Sequence, residues 1–118
     1  MEIDVVKSAI TFLERGERVA IATIVATRGS VPRRAGSKML VAESGRTVGT
    51  VGGGCGEAAV VDAAWETLRD GEPRNVFVDL TEDLLAGDAV TESPAVCGGT
   101  MDVFVELLSP RRSDADVA

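Results

Sequence analysis

Three consecutive glycines, Gly52 to Gly54, separate a strand-like run from a run with helical periodicity. Residues 47–51 predict a strand, and residues 57–69 predict a helix whose apolar stripe is Val60, Val61, Ala64, Trp65 and Leu68. Glycine loses more conformational freedom on folding than any other residue, so three in a row are entropically costly. The sequence therefore predicts a tight strand-to-helix loop whose backbone approaches another group closely.

The rest of the chain predicts an α/β fold, with a mixed sheet of about five strands and helices packed on it. Residues 2–15 have helical periodicity, and their apolar stripe is Ile3, Val6, Ile10 and Leu13. Residues 18–26 form a continuous apolar run, which is typical of a strand buried on both faces. Further strands are predicted at 38–42, 75–80 and 100–108.

Composition places the chain among globular proteins and argues against several functional classes. Apolar residues make up 45% of the chain, and Trp65, Phe77 and Phe104 are expected in the core. The first half carries a small positive charge and the second half is strongly acidic, without the basic stripe or stacking aromatics of a nucleic-acid interface. No apolar run is long enough to span a membrane and no secretion signal is present, so we expect a cytoplasmic protein with reduced thiols.

We assign residues 1–108 to a single domain and residues 109–118 to a frayed polar tail. Two cysteines do not make a disulfide scaffold, and the absence of histidine removes the commonest metal ligand and general base. Chemistry in this chain therefore depends on cysteine, carboxylates, arginine, backbone amides or a bound cofactor.

The segment Gly52–Glu57, GGGCGE, combines backbone amides with a helix N-terminus, which favours a bound anion such as phosphate. It is neither a Walker loop nor a dinucleotide fingerprint, because no Gly-Lys-Ser/Thr follows and its sixth residue is Glu57. Cys55 lies where the helix dipole favours a thiolate, which can carry sulfur, attack an electrophile or ligate a soft metal. Glu57 is either a carboxylate stabilised by the dipole or a general base. The alternatives without function are a packing turn and a small buried cysteine.

Two further segments carry candidate ligands. Residues 28–36 combine glycine and proline with arginines, whose guanidinium groups form paired hydrogen bonds with phosphate or carboxylate, and Ser30 adds a hydroxyl. Cys97–Gly98–Gly99 again places a cysteine beside glycines, just before the last predicted strand. If the two cysteine loops converge, they form a thiol pair or a soft-metal site, although two ligands are incomplete for zinc. A solvated basic loop and a turn before an edge strand are the corresponding alternatives without function.

The sequence contains three blocks in this order: ATIVATRGSVPRRAGSKMLV, GTVGGGCGEAAV and CGGTMDVFVE. Together they resemble the N-terminal domain of the XdhC/CoxI family, accessory proteins for xanthine dehydrogenase and carbon monoxide dehydrogenase. They span about residues 5–108, and the order of three separate motifs is more specific than any one motif. The resemblance implies a maturation factor, rather than an enzyme, that binds molybdenum cofactor (molybdopterin) as cargo. It further implies help with sulfuration of the cofactor or with its insertion into a molybdenum hydroxylase.

The resemblance also implies which positions contact the cofactor. The first set is Ser30, Pro32, Arg33 and Gly36 of a G-S-x-P-R-x-x-G block, together with the adjacent Arg34. The second set is Gly52, Gly53, Gly54 and Cys55 of the glycine-rich block. The third set is Cys97, Gly98 and Gly99 of a C-G-G block. Cys55 and Glu57 are the candidate catalytic residues, and Cys55 is the candidate contact to the metal of the bound cofactor. Arginines and amides suit the cofactor's phosphate or diphosphate, and a cysteine suits its soft metal.

Typical family members add a C-terminal dinucleotide-fold domain, so the resemblance leaves three expectations open: a stand-alone version, half of a split pair, or part of an assembly in which another chain supplies such a domain. The other expected partners are a molybdenum hydroxylase of the xanthine or carbon monoxide dehydrogenase type, a cysteine desulfurase and a second copy in a homodimer. Two alternatives stay open. One is a cofactor-free subunit that docks a partner dehydrogenase or a separate dinucleotide-fold domain, and the other is a small sulfur-transfer protein that uses Cys55 and Cys97.

Overall fold

The computed structural model describes residues 2–52, 56–80 and 98–110, and within them the chain forms one five-stranded sheet with a helix on each face. The elements are α1 (Glu2–Glu14), β1 (Val19–Arg28), β2 (Lys38–Ala42), β3 (Thr47–Gly49), α2 (Glu57–Asp70), β4 (Arg74–Asp79) and β5 (Thr100–Leu108). The predicted α/β fold of about five strands with packed helices is confirmed. Neither described helix is long and apolar enough to cross a membrane.

The strand order is β3–β2–β1–β5–β4, and all four neighbouring pairs are antiparallel. The prediction of a mixed sheet is therefore wrong in this detail. β3 and β4, which α2 connects, do run in the same direction, as a strand–helix–strand unit predicts. They lie at opposite edges of the sheet, however, because α2 crosses the whole face between them, so they never pair.

β1 is the central strand, and its two faces contribute to two separate cores. Ala20, Ala22 and Ile24 belong to the cluster beneath α2. Val19 and Ile21 belong to the cluster beneath α1. The prediction of a strand buried on both faces is confirmed over this part of β1.

The buried face of α1 differs from the predicted one. Val5, Ala9 and Phe12 are buried against β1 and β2, whereas Ile3, Val6 and Ile10 are exposed. Both stripes have helical spacing, so periodicity alone does not choose between them. The choice comes from packing across the sheet edge: Val5 packs on the backbone of Gly49, where an added Cβ would lie 2.7 Å from Val5 Cγ2. The prediction of the stripe through Ile3, Val6 and Ile10 is therefore wrong.

Two of the three aromatic residues expected in the core are on the surface. Trp65 is exposed on α2, which packs on the sheet through small and aliphatic residues and Thr67. Phe77 is 62% exposed on β4, and Phe104 is half-buried on β5. Phe77 points away from α2, because its neighbours Val76 and Val78 are the β4 residues that pack on the core beneath that helix. The prediction is wrong for Trp65 and Phe77.

The two faces of α1 give a direct test of its orientation. We expect Val5→Ala to lower the free energy of unfolding by about 2 kcal/mol, because it removes buried methyl groups and leaves a cavity. The matched control is Val6→Ala, the adjacent valine on the exposed face, which should change it by no more than about 0.5 kcal/mol. Urea unfolding followed by circular dichroism measures both, and a larger loss for Val6→Ala would contradict this orientation.

Candidate functional site

The described members of the three sequence motifs lie at one end of the sheet. β1, β3 and β4 end there, and β2 and β5 begin there, as the antiparallel order requires. We call this edge the loop end, made of residues 28–37, 50–52, 56–57 and 98–100. Of the predicted site residues, Gly53, Gly54, Cys55 and Cys97 lie outside the described residues.

The arginine-rich segment and the C-G-G segment are in direct backbone contact at the loop end. An added Cβ at Gly99 would collide with the carbonyl oxygen of Arg28 and lie 2.8 Å from the nitrogen of Ser30. Gly29 has φ +74, and a Cβ there would lie 3.1 Å from Gly99 Cα. Glycine at 99 is therefore required by close approach of two backbones, a requirement that the sequence alone does not reveal.

The start of α2 joins the same set of contacts. The N-cap residue Gly56 has φ 80, and a Cβ there would collide with Val78 and lie 3.4 Å from Leu80 Cδ2. Leu80 in turn donates a backbone hydrogen bond of 3.0 Å to the carbonyl of Gly99. Contacts thus run continuously from the N-terminus of α2, through the end of β4, to Gly99 and Gly29. The described parts of all three motifs belong to one structural unit.

Thr50 and Glu57 connect the two ends of the glycine-rich loop. The Thr50 hydroxyl accepts a 3.0 Å hydrogen bond from the backbone N–H of Gly52 and donates one of 2.5 Å to the Glu57 carboxylate. Glu57 is also the acidic residue in the first turn of α2, where the helix dipole favours it. The structure therefore gives Glu57 a bond that closes the loop, and its catalytic role stays a prediction. The sequence analysis assigned no individual role to Thr50, since nothing in the pattern pairs it with a carboxylate seven residues later.

The N-terminus of α2 has no side-chain cap, because Gly56 has no side chain to donate or accept a hydrogen bond. The first backbone N–H groups of a helix have no partner inside the helix, and the dipole makes this end positive. An anion with several oxygens suits such a position. This is the property that the glycine-rich motif predicts for the loop end.

The loop between β1 and β2 is anchored by its backbone, and it carries its arginines on the outside. Ile24 accepts a 2.7 Å hydrogen bond from Gly36 N–H and donates one of 2.9 Å to Ser37. Val31 packs partly against the core beneath α2. A depression of about 370 Å³ is lined by Pro32, Arg33, Arg34, Ala35 and Ser37. Arg33 and Arg34 are exposed, so their donors face a space open to a ligand.

Some arginines of the chain have a carboxylate partner in the described ranges, and others do not. At the far end, Arg18 bonds Glu43 and lowers the pKa of that carboxyl, chiefly through its backbone N–H. A side-chain hydrogen bond from Arg74 likewise lowers the pKa of Asp70. At the loop end the residues of the described ranges provide no ion pair for Arg28, Arg33 or Arg34. Exposed arginines without an ion pair in the described ranges are thus present at the loop end, and Arg15 and Arg46 at the far end are likewise without one.

Comparison with known proteins identifies related chains. The model of the XdhC and CoxI family matches residues 12–80. The chain is 36% identical over 72 residues to the molybdenum cofactor insertion chaperone PaoD of Escherichia coli, covering 61% of this chain and 23% of PaoD. It is 46% identical over 106 residues to a probable xanthine dehydrogenase subunit of Bacillus subtilis, covering 85% of this chain and 29% of that protein.

A solved structure has the same fold. The crystal structure of a xanthine dehydrogenase from Bacillus halodurans superposes with a TM-score of 0.63 at 32% identity, covering 83% of this chain and 30% of that one. The chain thus spans less than a third of the length of each of these relatives.

The contact at Gly99 predicts an unusually large effect for a single added methyl group. We expect Gly99→Ala to lower the free energy of unfolding by at least about 2–3 kcal/mol, because two backbones must separate. Gly36→Ala is the control within the same loop end: it has φ +98 but open space around it, so only backbone strain of about 1 kcal/mol applies. Urea unfolding compares them, and equal losses would contradict the close approach at Gly99.

The Thr50–Glu57 hydrogen bond is testable by a double-mutant cycle. Thr50→Val and Glu57→Ala should each destabilise the fold, with a coupling energy of about 1 kcal/mol, because each removes the same bond. Asp62→Ala, an exposed acid further along α2, is the control and should be additive with Thr50→Val. Additive losses for Thr50 and Glu57 would show that the bond contributes nothing to stability.

Proposed function

The chain belongs to the XdhC and CoxI family, and we propose that it binds molybdenum cofactor at the loop end and assists its sulfuration or insertion into a molybdenum hydroxylase. In this proposal the cofactor is cargo, and the chain acts as a chaperone rather than as an oxidising enzyme. The proposed client is a xanthine or carbon monoxide dehydrogenase, in agreement with the names of the relatives.

The observation that carries the proposal is the meeting of three motifs at one end of the sheet. The backbone contact of Gly99 with residues 28–30, and the packing of Gly56 on the end of β4, bring together segments that are distant in sequence. That end also holds Arg28, Arg33 and Arg34, which have no carboxylate partner within the described ranges. A packing turn or a solvated basic loop requires no such combination.

The donor groups fit the two chemical parts of molybdopterin. The depression at Arg33 and Arg34 suits a phosphate, because guanidinium groups form paired, charge-assisted hydrogen bonds with it. The uncapped N-terminus of α2 adds backbone donors. In the proposal, Ser30, Pro32, Gly36, Gly52 to Gly54, Gly98 and Gly99 shape the walls of the binding site. Cys55, with Cys97, is the proposed sulfur carrier or soft-metal contact, with Glu57 beside it.

The proposal also includes the partners that the family resemblance implies. We propose that a dinucleotide-fold domain on another chain, a cysteine desulfurase and a second copy of this chain act with it, in the cytoplasm. Loading of the client is then a property of the assembly, whereas retention of the cofactor is a property of this chain. The two are separable by experiment.

The test is retention of the cofactor by the purified chain. Under anaerobic conditions the protein is incubated with molybdenum cofactor released from a donor enzyme, and the protein peak from gel filtration is analysed for molybdenum and oxidised pterin. We expect near-stoichiometric retention by the wild type and a loss of about tenfold or more in affinity for the Arg33→Ala/Arg34→Ala variant. Arg15→Ala/Arg46→Ala, which removes two exposed arginines at the far end of the sheet, is the charge-matched control and should retain the cofactor.

Cysteine variants separate binding from sulfuration. Cys55→Ala should keep the pterin phosphate contacts but lose sulfur transfer to the cofactor from a persulfide donor, measured by the activity of the reconstituted client. No retention by the wild type, combined with a stable complex with a dehydrogenase on pull-down, would favour the cofactor-free docking role instead. Retention unaffected by both the arginine and the cysteine variants would contradict the assignment of these residues.

A further inference from the structure

A second depression, of about 460 Å³, opens at the loop end on the sheet face that α2 does not cover. Its side chains include Arg28, Phe77 and Asp102, and its wall includes the backbone at Gly98 and Gly99. Met101, Val103 and Val78 point into the core beneath α2, so Phe77 and Asp102, which alternate with them, point to the opposite face. Sequence patterns predict only a core position for Phe77, and they single out no role for Asp102.

The register of the sheet brings these side chains together. Phe77 and Asp102 are direct partners in the β4–β5 pair, and side chains at such positions are about 5 Å apart at Cβ. Arg28 is paired with Thr100, which places it diagonally from Asp102 on the same face. Phe77 is 62% exposed, and no residue of the described ranges forms an ion pair with Arg28 or Asp102.

α1 does not extend over this part of the face. The core beneath α1 is built from residues of α1, β1 and β2, with Leu108 at the far end of β5 packed partly against it. Within the described ranges, an aromatic face, a carboxylate and a guanidinium group thus line a depression whose wall is glycine backbone. Because glycine has no side chain, a flat ring can lie directly against that wall.

Each group matches one part of a single type of ligand. An ionised aspartate only accepts hydrogen bonds, and its two oxygens fit a ring N–H beside an exocyclic amino group. The face of a phenylalanine ring stacks on planar heterocycles whatever their substituents. Arg28 provides donors for an oxo group or an anionic substituent on the same ligand. This set of groups is suited to a 2-amino-4-oxo-pyrimidine ring, the edge shared by pterins and guanine.

Building on the proposed function, we propose that this depression binds the 2-amino-4-oxo-pyrimidine ring of the cargo, through stacking on Phe77 and hydrogen bonds to Asp102. The ring is the pterin itself or the guanine of a dinucleotide form of the cofactor. The phosphate then lies toward Arg33 and Arg34, in the other depression formed by the same β1–β2 loop. The two depressions divide recognition of one ligand between its ring and its anionic group.

The experiment is an amide NMR titration of the full chain with neopterin, guanosine monophosphate and adenosine monophosphate. We expect the first two to shift the amides of Gly98, Gly99 and Thr100, and adenosine monophosphate, which lacks the donor edge, to leave them unchanged. Phe77→Ala and Asp102→Asn should each weaken binding of neopterin about tenfold. Glu106→Gln, an exposed acid on the same strand and face of β5, is the control and should bind as the wild type.

Comparing the affinities for neopterin and guanosine monophosphate also shows which ring the depression binds. Tighter binding of neopterin assigns the depression to the pterin, and tighter binding of guanosine monophosphate assigns it to the guanine. Both substituted side chains are exposed, so unchanged amide shifts elsewhere will show that each variant is folded. No shift up to about 5 mM ligand, equal shifts with adenosine monophosphate, or full binding by Asp102→Asn would overturn the proposal.

Retention of complete cofactor by the same variants separates this inference from the proposed function. Retention by the wild type and equally by Phe77→Ala and Asp102→Asn would overturn the ring site and leave the proposed function standing. No retention by the wild type would overturn the proposed function, and the neopterin titration would still decide the ring site. Reduced retention by both variants, with normal retention by Glu106→Gln, supports both.

Discussion

The close approach of the Gly99 backbone to Arg28–Ser30 is the contact on which the loop end depends. It fixes where β5 begins relative to the end of β1, and the hydrogen bond from Leu80 to Gly99 extends this alignment to β4. Gly56 then packs against the end of β4, so the start of α2 is positioned by the same contacts. Three glycines without Cβ atoms thus align three segments that are distant in sequence. A side chain at any of them would separate elements and not merely fill space.

The two ends of the sheet are built differently. At the far end, Arg18 and Arg74 bond the carboxylates of Glu43 and Asp70, connecting strand ends to the hairpin and to the end of α2. At the loop end the backbone does the connecting, through glycine contacts and the anchored β1–β2 loop, while the arginines remain exposed. Because backbone contacts hold the loop end together, its arginine side chains are not needed for local order and can contact a ligand. Exposed guanidinium groups at this edge are compatible with the anion site that the proposed function requires, although the chain as a whole is acidic.

Local pattern predicted the elements better than it predicted their neighbours. The bounds of β2 and β5 match the prediction, because turn residues and apolar runs determine them locally. The prediction of which stripe of α1 is buried was wrong, because two stripes have helical spacing. Only the packing of Val5 on Gly49 distinguishes them. The predicted core position of Phe77 was wrong because the exposure of this side chain depends on how far α1 extends over the sheet. The site motifs were recognisable as glycine-rich and basic. The contact of Thr50 with Glu57 depends on how the chain returns from β3 to α2, and the position of Asp102 beside Phe77 depends on the register of β4 and β5.

The β1–β2 loop connects the two faces of the sheet, and this determines how a ligand can be held. Arg28 points to the open face beside Phe77 and Asp102, whereas Val31 packs against the core on the α2 side. A ligand held by both depressions therefore extends along this loop over the end of the sheet, instead of entering the core. One of its sides then stays open to a second protein surface. The proposed function depends on such an open side, because a carrier must release its cargo to a client.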